Sequence, residues 1–161
     1  MMVLFVSLSQ AAADHLRMLV RLNRESQRCF RAAGDGVADA ELTALFYRLA
    51  RQRGAFVAQL SQHVDPRGEE TAPDASPAAG RPALQRWWQA LRQRLSADEE
   101  RFTLRLAERA EDEVLAAYEG ALARPLSPEV EQLLQRQRDE VVGAHEQIRA
   151  LHQLRSLRRA S

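Results

Sequence analysis

Lysine is missing from this chain: all 23 basic residues are arginine, set against 22 acids. So close a balance argues against a strong electrostatic drive toward nucleic acid or an anionic membrane surface; no nucleic acid is expected as a partner, and an adaptor that touches either through the two tails is the weaker reading. The single cysteine, Cys29, forms no internal disulfide, which makes a reducing cytoplasm the expected compartment. Glycine and proline are scarce, at 7 and 6 of 161 residues, too few for a chain built on turns. Long apolar runs are lacking too. The opening MMVLFVSLSQAAA holds about five apolar residues in a row after Met1, short of the roughly 7–15 of a signal peptide. No stretch approaches the ~20 apolar residues of a membrane span. Phosphate loops, triad signatures and long-period repeats are absent as well.

What the chain does have is helical periodicity. Hydrophobic residues at 45% are enough for one core in a single domain, 1–161. Ser7 or Ser9 can cap a first helix carrying Leu16, Leu19, Val20, Phe30 and Ala33, which Gly34-Asp35-Gly36 ends. Asp39 caps a second, with Leu42, Leu45, Phe46, Leu49, Phe56 and Leu60 on one face. Gly54 in that helix costs roughly 1 kcal/mol of helix propensity against Ala, which suggests a close neighbour. Residues 65–81, DPRGEETAPDASPAAGR, have no apolar period and read as a flexible loop. A short helix over about 82–95 follows, with Leu84, Trp87, Trp88, Leu91 and Leu95 as its apolar residues. The pattern Ser96-Ala97-Asp98-Glu99 is a capping box opening a third helix, about Asp98 to Ala123, stopped by Pro125. Ser127-Pro128-Glu129 opens the last, which runs to about Leu157. Four long helices with one stripe each predict an all-α, antiparallel four-helix bundle with a short extra helix after the long loop.

Each stripe is broken by polar residues near its middle. Asn23 with Ser26 or Gln27 breaks the first, Gln52 and Arg53 the second, Glu108 and Glu111 the third. Gln137 breaks the fourth, with Glu140 and His145 close by. Leu104, Glu111 and Tyr118 are spaced by seven and so share one face. Four interruptions at comparable heights predict one buried polar layer, and buried charges are costly unless paired or ligated. Arg53, His145 or a metal ion are the candidate partners of Glu108 and Glu111.

Three stretches carry a family resemblance: DAELTALFYRLARQRGAFVAQL (Asp39–Leu60), AERAEDEVLAAYEGAL (Ala107–Leu122) and RQRDEVVGAHEQIRAL (Arg136–Leu151). The layout is similar to the ferritin-like superfamily and resembles an uncharacterised bacterial family of ferritin-like four-helix-bundle proteins. The resemblance spans most of residues 14–155. It implies the ferritin-like fold and an association with bacterial stress, and it implies no established activity. A ferritin-like di-iron site takes a Glu from each of two helices and Glu-x-x-His from each of the other two. No Glu or Asp here has His three residues on, and Glu108-x-x-Glu111 is the nearest analogue.

The residue set therefore favours an ion-paired polar core of Glu108, Glu111, Arg53 and His145 in a non-catalytic protein without cofactor. Such a protein acts through protein–protein contact, as a homodimer or with another partner. The alternative is a degenerate iron or manganese site drawing on Glu108, Glu111, His145, Glu140 and Glu25. Cys29, His15, His63 and His152 show no ligand or catalytic spacing, and Trp87 and Trp88 read as packing over the bundle.

Overall fold

A computed structural model describes residues 2–64, 83, 85–87, 89 and 99–160, with side chains at 10–64, 83, 85–87, 89 and 100–158. Among these residues every regular element is helical, and no strand occurs. Four long helices stand out: α1 (Met2–Gly36), α2 (Ala40–Ser61), α3 (Glu99–Leu122) and α4 (Pro128–Ala160). Residues 83, 85–87 and 89 are helical as well. The expected loop at 65–81, the rest of the short helix at 82–95, Trp88 and the capping-box residues before Glu99 lie outside the described residues. No described helix is long and apolar enough to cross a membrane.

The helix ends follow local chemistry. Asp39 sits in an extended conformation (φ −73°, ψ 125°), and its Oδ1 accepts from Leu42 N at 3.0 Å, which starts α2. Ser127 Oγ accepts from Val130 N at 3.3 Å and Pro128 takes the first helical position of α4. Two boundaries depart from the sequence reading. α1 begins at Met2 rather than at Ser7 or Ser9. No Gly or Pro interrupts residues 2–33, so a helix once nucleated propagates through both serines without needing either as a cap. α4 likewise continues past Leu157 to Ala160.

Cross-helix contacts define the directions. A Cβ on Gly34 would meet the Tyr47 ring, and one on Gly54 would lie 2.7 Å from Gln27 Nε2, so α1 and α2 run antiparallel in close approach. Gly54 is thus the small residue that admits Gln27. Asp112 meets His145, and Tyr118 meets Gln137, so α3 and α4 are antiparallel. Arg48 donates to Gln147 at 2.9 Å and Arg155 meets Asp39 at 3.0 Å, which makes α2 and α4 antiparallel too. It follows that α2 and α3 are parallel, and α2 ends where α3 does, at the opposite end from the α3 start.

The apolar stripes converge on one core. Leu19, Phe30, Leu42, Phe46, Leu60, Leu104, Val114, Leu134, Val141 and Ile148 are all fully buried. Trp87 is buried as well, edge-on to Phe30 at 4.9 Å between ring centroids and 6.5 Å from Phe46. Burying a side chain of this size contributes about 1.5–3 kcal/mol each. Asp39→Ala removes the α2 cap and should lower unfolding free energy by about 1 kcal/mol in a urea titration, with an unchanged slope.

A buried Arg53–Glu111 pair and a four-helix polar relay

Arg53 and Glu111 are both fully buried, although each is charged. Arg53 Nη2 donates to Glu111 Oε2, joining α2 to α3. Phe30 and Phe56 close on the guanidinium, with Cζ 5.5 and 5.7 Å from their ring centroids. Their faces offset part of the loss of hydration, and the planar, weakly hydrated guanidinium suits such a slot better than an ammonium. Burial pushes the Glu111 carboxyl above its usual range, and the charge and hydrogen bond of Arg53 oppose that push.

A second set of polar groups crosses all four helices. Asn23 Nδ2 donates to Leu19 O at 2.8 Å and to Tyr118 Oη at 2.9 Å. Tyr118 Oη donates to Gln137 Oε1 at 2.8 Å, and Gln137 Nε2 donates to Gln59 Oε1 at 2.9 Å. The order is α1, α3, α4, α2. Burial pushes the Tyr118 phenol up. It therefore stays a neutral donor and acceptor, the role the relay requires.

The sequence-derived candidates scatter around this interior. Glu111 alone of the five proposed ligands is inside, and it is held by Arg53. Glu108 lies one turn earlier, partly exposed, 3.5 Å from His152. His145 Nε2 is 2.9 Å from Asp112 Oδ1, close but out of line for a hydrogen bond. Glu25 is 3.6 Å from Arg28 on its own helix, and Glu140 is exposed beside Arg136 and Asp139. Among the described residues no three His, Cys, Asp or Glu side chains group as a metal site would require. The residues do not fit a di-metal centre, because a permanent cation holds Glu111, the one fully buried carboxylate among the described residues. Gln59 and Tyr118 belong to the relay, outside the acid and histidine candidates. Tyr118 was legible from its spacing of seven to Glu111, whereas exposed Gln59 gave no burial signal of its own.

An all-helical protein with a charged and polar interior layer is the class these observations define. The family model described as a domain of unknown function (DUF2383) matches residues 11–124, more than half of the chain, and the chain belongs to that family. The matched span takes in Asn23, Arg53, Glu111 and Tyr118 and stops short of α4. No curated protein matches the chain.

Glu111→Ala strands a buried guanidinium and should cost about 3–5 kcal/mol in denaturant unfolding. Because Arg53 is fully buried, Glu111→Leu alone should also destabilise. The double change Arg53→Met with Glu111→Leu should return to wild-type stability or exceed it by about 1–4 kcal/mol. Cys29 offers an independent check on α1: burial, reinforced by Glu25, pushes its thiol up to about 12. Thiol reagents at neutral pH should label Cys29 only as fast as the chain unfolds.

Proposed function

We propose that this chain is a non-catalytic, ferritin-like four-helix bundle that works through protein–protein contact, with a second copy of itself as the first partner. The observation that carries this reading is the place of Arg53: a buried, permanent cation holds the carboxylate that a metal would need. The helix directions support the bundle, since α2 and α3 run parallel between two antiparallel pairs, as in a bundle with one long crossover. With the interior groups engaged in holding helices together, the outer surface is left to do the work. α1 presents Arg21, Arg24, Arg28 and Arg31 along one exposed face, at spacings of three and four residues. Arginine forks suit carboxylates on a partner protein.

Two measurements test the proposal. Elemental analysis of the purified chain should find iron, manganese and zinc far below one ion per chain, and adding Fe²⁺ or Mn²⁺ should leave the melting temperature unchanged. Light scattering should show a mass that rises toward two chains with concentration. Stoichiometric iron or manganese, or a clear rise in melting temperature with either ion, would overturn the metal-free reading. A monomer at every concentration would remove the second copy as a partner.

A further inference from the structure

Four buried polar atoms have no protein partner among the described residues: two on the pair itself, Arg53 Nη1 and Glu111 Oε1, and two on α1, Asn23 Oδ1 and Ser26 Oγ. All four residues are fully buried, and they come from α1, α2 and α3. Contacts already described relate these residues to the pair. Gln27, next to Ser26, lies against Gly54, next to Arg53. Phe30, one turn beyond Ser26, holds the Arg53 guanidinium against its ring. Asn23, one turn before Ser26, is bonded to Tyr118 two turns along α3 from Glu111. Ser26 thus lies on the α1 face that meets Arg53, and Asn23 lies one turn further from the pair.

Their chemistry selects the ligand. The set offers a donor on Arg53, acceptors on Glu111 and Asn23, and a hydroxyl on Ser26 that can act either way. A metal cation is repelled by Arg53, and an anion by Glu111. An apolar guest leaves every orphan unsatisfied, at a cost that buried polar groups in folded proteins rarely bear. Small neutral molecules that both donate and accept suit such a mixed set, and water is such a molecule.

We infer that the Arg53–Glu111 pair holds an internal water, which bridges Arg53 Nη1 to Glu111 Oε1, with Ser26 Oγ on the facing side of α1 as its next polar neighbour. The bridge completes a pair that the protein alone leaves half bonded. It also explains how two charges remain in the core, because each keeps part of a hydration shell. The inference does not depend on whether the outer surface takes a partner.

Oxygen-17 relaxation dispersion on the full chain detects water held far longer than surface water. The wild-type protein should give such a signal. Arg53→Met with Glu111→Leu, checked for cooperative unfolding, should lose most of it. Ser26→Ala, which leaves the ion pair in place, should reduce it. A crystal structure of the wild-type chain at high resolution should show density within hydrogen-bonding distance of Arg53 Nη1 and Glu111 Oε1, with no anomalous signal. That density decides the matter if the double variant fails to fold. A wild-type protein without long-lived water, direct side-chain bonds to Arg53 Nη1 and Glu111 Oε1, or an ion at the position would each overturn the inference.

Discussion

Two opposite charges, carried on different helices and both out of water, constrain everything around them. Either Arg53 or Glu111 alone would be among the most costly groups a core can hold, so each requires the other. The contact sets the height of α2 against α3. Sliding either helix by one turn, about 5.4 Å, would separate the charges and bury both unpaired. The aromatic residues follow from this. Phe30 serves two masters, with Arg53 at its ring and Trp87 edge-on beside it, so α1 and the helical residues around Trp87 take their places from the same point.

The relay through Asn23, Tyr118, Gln137 and Gln59 acts on the same problem with neutral groups. Apolar stripes are forgiving, since many rotations and shifts of a helix bury similar area. Hydrogen bonds 2.8–2.9 Å long across four helices are not forgiving. They bring α4, which lies outside the family match, into the same register as the matched helices. Under the proposed function it is the outer surface, and not this interior, that meets a partner.

Particular residues show how far the sequence reading reached. The cap at Asp39 and the start at Ser127-Pro128 were legible because capping is local: the side chain and the amide it satisfies lie three residues apart. The polar breaks at Asn23, Arg53, Glu111 and Gln137 were legible as departures from helical period, and all four side chains are buried. Glu108 was not separable from Glu111 in that way. Three residues fall about 60° short of a full turn, so both sit near one face, and only the position of α4 decides which of them meets His152 at the rim. His145 raised the same difficulty, since its partner Asp112 is on another helix and mostly exposed. The start of α1 was misplaced because a serine that can cap a helix can equally lie inside one.

Sequence alone determined the helical class, the four long stripes, the caps at Asp39 and Ser127 and the presence of polar groups within the stripes, because each depends on neighbours within one or two turns. Tertiary structure decided the partners. Whether Glu111 would face a metal, a histidine or an arginine turned on which helix lies opposite and at what height, and that is set by the sum of packing over all four stripes. The outcome, Arg53 on Glu111 between two phenylalanine rings, makes the acidic centre of α3 a structural tie.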